Sequence, residues 1–345
     1  MKTQKAFRVA LVGTDTLRGK EIKTALGSLK FPMADLEFFD PGVPEEFSKL
    51  TQFENVPKVV HHLEPKLLEG LDLVFLAADA KTGRQCGDFA RRKKMRAVDL
   101  SGAFADNSKV PVVVAGVNNG LILRDNPYLV ANPHALTIIL SHIFHLVIPR
   151  FGLRRAVAFV LQPVSVFDEA GIEELAGQSA SLLSNATVRK KVFKEQIAFN
   201  LLSHTEAPDA DGFSPVERQV VAEIGRVFQS PDFPLSLSVI QAPVFHTYAV
   251  MSYLEFQRET DLKDLEDLFK SSPFFKVPAA GKSSSVTSLS VAGKDLIYVG
   301  QIKREPAAPG SFWLWTVTDN LTFGSALNAV EIGRSLLAAS AQDQA

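Results

Sequence analysis

The sequence predicts an α/β fold in which a doubly wound parallel sheet is followed by an α+β block built on a mostly antiparallel sheet. Three observations lead there. Short apolar runs alternate with helix-spaced apolar residues from Phe7 to Ala131, the pattern of strands joined by crossover helices. The first run ends in the turn Gly13-Thr14-Asp15-Thr16-Leu17-Arg18-Gly19, where dinucleotide folds cradle a pyrophosphate. Beyond Thr137 the rhythm changes to a long helix, further helices and a series of strand-like runs. A chain of 345 residues has room for about two domains.

Taken in order, Phe7 to Val12 is almost continuously apolar, as a strand buried on both faces must be. Ile22, Leu26 and Leu29 follow at helical spacing. Leu36-Glu37-Phe38-Phe39 reads as a second strand closed by the turn formers Asp40-Pro41-Gly42. Leu71 to Ala77 is another buried strand, Gly83 to Lys94 a helix with its charges outward, and Arg96 to Leu100 and Val112 to Val114 continue the series. From Thr137 a helix carries Ile138, Ile139, Leu140, Ile143 and Leu146. Arg155 to Leu161 is strand-like, and helices are expected over Glu169 to Ser184 and Val216 to Phe228. Further strands are expected at Ser236 to Phe245, Ala249 to Phe256, Val286 to Val291, Leu296 to Ile302 and Phe312 to Val317. Ser283-Ser284-Ser285 and Pro306 to Gly310 read as loops. A final helix from Ser325 to Ala339 buries Leu327, Val330, Leu336 and Leu337.

Composition limits the function. The chain is 46% hydrophobic and 22% charged, which allows a large core and argues against disorder. A formal net charge of -1 gives no support for nucleic acid or an anionic membrane as partner. The cluster Arg91-Arg92-Lys93-Lys94 reads as a solvated helix face. A single cysteine, Cys86, excludes an internal disulfide and cysteine-rich metal sites, and reads as a packed small side chain. Met1 to Ala6 lacks the apolar region of a signal peptide, and no run reaches the ~18 apolar residues of a membrane span. The expectation is a soluble, cytoplasmic protein.

The most telling stretch is Asn132-Pro133-His134-Ala135-Leu136-Thr137. Tyr128 to Ala131 leads in as a short strand, Asn-Pro forces a turn, and a helix follows. Strand, tight turn and helix present a nucleophile where backbone N–H groups and the helix dipole lower a thiol pKa. Alanine occupies the nucleophile's place.

These residues resemble the aspartate-semialdehyde dehydrogenase family, whose motif here is Asn-Pro-Asn-Cys-(Ser/Thr). The likeness runs along nearly the whole chain. It includes Leu11-Val12-Gly13, Val98-Asp99-Leu100-Ser101-Gly102-Ala103-Phe104, Val110-Pro111-Val112-Val113, Gln162-Pro163-Val164-Ser165 and Gly171-Ile172-Glu173-Glu174-Leu175. It continues in Ile197-Ala198-Phe199-Asn200, Pro243-Val244-Phe245, Asp319-Asn320-Leu321 and Ala326-Leu327-Asn328-Ala329-Val330. The resemblance implies a Rossmann-like NAD(P)-binding domain over 1–135 with 325–345, and a dimerisation and substrate domain over 136–324. It also implies a link to amino-acid biosynthesis.

The family's chemistry needs a thiolate, a base, and cations for the substrate carboxylate and for phosphate. Here the thiol position is Ala135, and the base position, a histidine in the family, is Tyr248. Thr247 takes a glycine position and Gln241 that of the carboxylate-gripping arginine, whose bidentate charged contact glutamine cannot make. Gln219 stands for a phosphate-binding lysine. Gln162 and Ser165 remain from Gln-x-x-Ser-Gly-Ala-Gly, but Val166-Phe167-Asp168 replaces Gly-Ala-Gly and should fill space left for substrate and nicotinamide. Asn118 remains from Pro-Glu-Val-Asn while Gly116 replaces the glutamate, and Asn328 remains near the family's cofactor. His246 shares a face with Tyr248 if the strand is regular.

The family's phosphate loop is Gly-Ala-Thr-Gly-x-Val-Gly. Gly13, Thr14, Asp15, Thr16 and Gly19 are the corresponding positions, with the middle glycine lost to Thr16 and a negative charge added by Asp15. A weak dinucleotide site is expected. Asp40, placed to meet a ribose hydroxyl, favours NAD over NADP, although a turn carboxylate ahead of Pro41 explains it equally well. The catalytic residues implied by the family are therefore not intact. One expectation is an inactive homologue acting in binding, assembly or regulation, as a homodimer with an unidentified small-molecule ligand. The other is an active NAD(P)-dependent oxidoreductase using Tyr248 and His246 as proton donors. The dimer is expected through apolar strands, with Leu237, Val239, Pro243 and Phe245 on one face and Ile240, Ala242 and Val244 on the other.

Overall fold

The alternating runs become two sheets in a computed structural model that describes residues 7–279 and 285–342. Met1 to Ala6 and Ser283-Ser284 lie outside the described residues. The chain divides into two compact units, Met1–His134 with Ser325–Ala345, and Ala135–Gly324.

In the first unit, β1 (Phe7–Val12), β2 (Met33–Asp40), β3 (Lys49–Phe53), β4 (Val56–His62), β5 (Leu73–Leu76), β6 (Arg96–Asp99) and β7 (Leu129–Ala131) form one sheet. Its order is β3-β4-β2-β1-β5-β6-β7, and every pairing is parallel except that of β3 with β4. Connections between parallel neighbours need a crossover, which α1 (Leu17–Ser28) and α2 (Ala80–Lys93) supply. α9 (Asn328–Gln342) returns to this unit. Ala329, Val330, Ile332, Leu336 and Leu337 join Val9, Leu11, Phe38, Phe75 and Val98 in its core. Asp79 caps α2 by accepting from the Thr82 N–H at 2.9 Å. The short α3 (Gly120–Asp125) precedes β7.

The second unit begins with α4 (Ala135–Phe151), two residues before the expected helix start. Its sheet runs β11-β12-β13-β10-β8-β9, from β8 (Arg155–Gln162), β9 (Leu235–Gln241), β10 (Tyr248–Glu255), β11 (Phe275–Lys276), β12 (Ile297–Arg304) and β13 (Ser311–Thr318). The central pairings are antiparallel, while β9 lies parallel to β8. Helices α5 (Asp168–Leu183), α6 (Pro215–Val227), α7 (Leu262–Ser271) and the four-residue α8 (Ser288–Val291) complete it. α6 opens on a full capping box between Ser214 and Glu217. The Glu217 carboxylate also accepts the Val239 N–H at 2.8 Å, so α6 lies against β9.

Several expected elements differ. Val112 to Val114 makes only an isolated bridge, Val112 to Ala131. The hairpin β3–β4 carries no clean apolar alternation in its sequence, so the pattern does not predict it. Val286 to Val291 is not a strand, since Thr287 and Ser290 cap each other and turn the chain into α8. The final helix is preceded by a π-helix, Thr322–Leu327. The expected strand to Phe245 stops at Gln241, so Ala242, Val244 and Phe245 belong to no sheet face. Along β9, Leu237, Val239 and Gln241 are buried, whereas Ser236 is exposed and Ser238 and Ile240 are half-buried. The opposite face of this sheet carries Phe159, which is 49% exposed, with half-buried Met251, Tyr253, Trp313 and Trp315. No helix among the described residues is long and apolar enough to cross a membrane.

Candidate functional site

At the β1–α1 turn of the first unit, Gly13 has φ +87° and its α-carbon packs on the Ala77–Ala78 backbone, leaving no room for a side chain. Gly19 is equally confined, against the Gly13 carbonyl. Thr16 does not project into the turn's mouth. It is the N-cap of α1: its hydroxyl accepts the Gly19 N–H at 3.0 Å and lies 3.0 Å from the carbonyl oxygens of both Gly13 and Ala77. One of the N–H groups that open α1 is thereby satisfied internally. Asp15 pairs with Lys49 at the start of β3, which offsets the charge it brings. Thr14 is fully buried with its hydroxyl unpartnered. Asp40 accepts the Gly42 N–H at 2.9 Å, an Asx-turn that accounts for it without a ribose.

Asn118 and Asn328 both hold the segment between Val112 and Ala115. Asn118 accepts from the Val114 N–H at 2.7 Å and donates to the Val112 carbonyl at 3.0 Å. Asn328 accepts from the Ala115 N–H at 2.8 Å and donates to the Val113 carbonyl at 3.0 Å and to Asn132 at 2.8 Å. Both asparagines are committed to backbone that failed to become a strand. His134 closes this unit. Burial, with the nearby Arg18 charge, lowers its pKa to about 4 and keeps it neutral.

The second unit opens at Ala135, on the first turn of α4. Gly324 of the π-helix lies against it: a Cβ there would be 3.0 Å from the alanine methyl. Two residues on, the buried Thr137 hydroxyl donates to Glu223 at 2.5 Å, and Gln219 donates to the other Glu223 oxygen at 2.8 Å. Gln219 is thus joined to the helix start that carries Ala135. Glu223, 2% exposed, is a site residue the sequence reading missed. Its i,i+4 spacing from Gln219 on α6 was the available signal.

A polar row crosses the inner face of this sheet. Gln241, Gln162, Tyr248 and Thr318 occupy one register position on β9, β8, β10 and β13. The Tyr248 hydroxyl donates to Gln162 Oε1 at 3.1 Å, and Gln162 Nε2 donates to Gln241 Oε1 at 2.9 Å. Gln241 Nε2 in turn donates to the Gln162 carbonyl at 2.9 Å. All three side chains are buried, and they carry no charge. Burial raises the Tyr248 pKa far above its usual value, so the phenol keeps its proton. His246 is not on its strand face, because β10 begins at Tyr248 and Thr247 breaks the alternation. Cys86 is a thiol, 1% exposed, its pKa pushed up by burial to about 12.

Two positions that the resemblance assigns to glycine keep a glycine-like backbone. Thr247 has φ +78°, a conformation costly for a β-branched residue, and its buried hydroxyl has no partner. Its N–H donates to Asn320 Oδ1 at 3.0 Å, and Asn320 also bonds Ser165. Asp168 has φ +58° and ψ −156°, a region almost reserved for glycine. The Phe167 ring meets Phe193 edge-on at 5.0 Å, within a small cluster that includes Val164 and Leu175. Val166 is 36% exposed.

The chain matches "Semialdehyde dehydrogenase, NAD binding domain" over residues 8–123 and "Semialdehyde dehydrogenase, dimerisation domain" over residues 147–323. It is 29% identical to the USG-1 protein homolog of Pseudomonas aeruginosa over 331 residues, 96% of this chain and 98% of that protein. Among solved structures it resembles "a probable aspartate-semialdehyde dehydrogenase" from Pseudomonas aeruginosa, with TM-score 0.89 and 28% identity over 96% of this chain and 99% of that one. Aspartate semialdehyde dehydrogenase II of Vibrio cholerae, solved in complex with ASA, shares the fold at TM-score 0.89 and 24% identity, covering 97% of this chain and 99% of that one. Two domain matches in order, spanning most of its length, establish that this chain belongs to the semialdehyde dehydrogenase family.

Proposed function

We propose that this chain is a non-catalytic member of its family, retained for binding, assembly or regulation as a homodimer. The observation that carries the reading is the closed neutral row Gln241–Gln162–Tyr248, lying in the same unit as Ala135. The groups that stand for carboxylate anchor and base are joined through Gln162. An incoming carboxylate would have to break these bonds and would meet no cation among them. With alanine at the nucleophile position, the covalent route through a thiohemiacetal has no starting atom. Chemistry with Tyr248 as proton donor gains no support from a phenol so deeply buried.

Dinucleotide binding is weak in this reading, because the Thr16 hydroxyl takes the Gly19 N–H, and the charge of Asp40, one oxygen of which holds the Gly42 N–H, favours NAD over NADP. The dimer forms through the sheet face carrying Phe159, Met251, Tyr253 and Trp313, large apolar groups left half-covered. The test is a phosphate-dependent assay of purified protein with aspartate semialdehyde, alongside thermal-shift titrations with NAD and NADP. No turnover is expected. Reduction of either cofactor at ordinary enzymatic rates sinks the proposal.

A further inference from the structure

One face of α4 meets the π-helix Thr322–Leu327 at two places, seven residues apart along α4. The first is Ala135 against Gly324. At the second, the His142 ring has Phe323 at 5.2 Å, tilted 58°, and Phe274 at 4.4 Å, tilted 42°. His142 is 4% exposed. For a ring this buried, the hydration lost by the cation outweighs its attraction to the two tilted aromatic rings, so the neutral form is favoured. Burial lowers its pKa from 6.5 to about 4, and His145 adds a like charge. The charged groups of α6 and of α7 (Lys263, Asp264, Glu266, Asp267 and Lys270), both packed on α4, contribute nothing to that shift, and His145 is the one charge that does. The π-helix has no ionisable residue, and the residue two beyond Phe274 is Lys276. Asp319, ahead of the π-helix, has its carboxylate engaged by the N–H groups of Leu321, Thr322 and Gly293 at 2.8–2.9 Å.

We propose that His142 is a proton-operated pin: neutral, it holds the π-helix against α4, and protonated, it leaves its slot and lets the π-helix loosen. The loosened element is the one that confines Ala135 and ends the second unit at Gly324. π-Helical turns are uncommon and often fall at functional places. The device goes beyond the proposed function and does not depend on it.

The test is amide hydrogen exchange of the full chain at about pH 7.5 and about pH 5, read as protection factors, for wild type and His142→Phe. A ring that titrates at about 4 when packed and about 6.5 when released predicts a fall of about thirtyfold across residues 322–327 in wild type. His142→Phe should show no such fall, and the β1 amides should not change in either protein. An equal fall in His142→Phe, or one spread over the whole chain, overturns the proposal. If phenylalanine does not fit the slot, NMR titration of the wild-type ring decides: a midpoint below about 5 supports the pin, and one near 6.5 refutes it.

Discussion

Replacing Thr247 with glycine should make the protein more stable, although glycine substitutions usually do the opposite. Thr247 sits at φ +78° with 0% exposure, and its hydroxyl has no partner. A left-handed conformation costs an L-residue roughly 1–2 kcal/mol, and β-branching does not reduce that. An unpaired buried hydroxyl costs roughly 1–3 kcal/mol more. Against these, glycine gives the unfolded chain extra freedom worth about 0.5–1 kcal/mol, and loss of the two buried carbons, Cβ and the methyl, costs about 1.6 kcal/mol. The net expectation is a gain of about 1 kcal/mol. Urea denaturation measures it as a shift in midpoint at constant slope. Thr247→Val separates the causes, since it removes the hydroxyl but keeps the branched carbon in the left-handed backbone. The reasoning fails if Thr247→Gly is no more stable than wild type, or if Thr247→Val gains as much as Thr247→Gly.

Restoring cysteine at Ala135 alone should recover no activity, because Tyr248 and Gln241 would still stand where base and carboxylate anchor belong; measurable turnover by Ala135→Cys would refute that. Thr16→Gly with Asp15→Thr should tighten NAD binding in calorimetry by freeing the Gly19 N–H, and tight NADP binding by the unmodified chain would contradict both the weak loop and the Asp40 preference. Phe159→Asp should turn a dimer into a monomer in light scattering, whereas Val239→Asp, buried under α6, should unfold the protein; an unchanged dimer in Phe159→Asp would place the interface elsewhere. Acid should destabilise the second unit through His142. The folded His142 pKa of about 4 lies below the unfolded 6.5, so its contribution of up to about 3 kcal/mol is fully present above pH 6.5 and is lost as pH falls through about 4. A flat stability profile over that window would be the contrary result.

What the sequence determined by itself follows from local pattern and covalent identity. Short continuous apolar runs such as Leu73–Leu76, bounded by turn residues and alternating with helix-spaced segments, fit strands buried on both faces of a parallel sheet. That Ala135 holds no nucleophile is true in any fold. Gly13 and Gly19 were legible because a close backbone turn leaves no other choice. Partners at long range were not legible. Gln162 and Gln241 are 79 residues apart and meet only because β8 and β9 pair in parallel at that register. Asp15 met Lys49 through a hairpin the pattern did not announce. Val239 is buried on the face opposite Phe159, against the expectation of an interface there, because the pairing of β9 with β8 sets its alternation. Asn118 and Asn328 are amides that could have served a ligand, and they hold backbone instead. A side chain's chemistry is written in the chain, but its use depends on which donors and acceptors folding brings within about 3 Å of it.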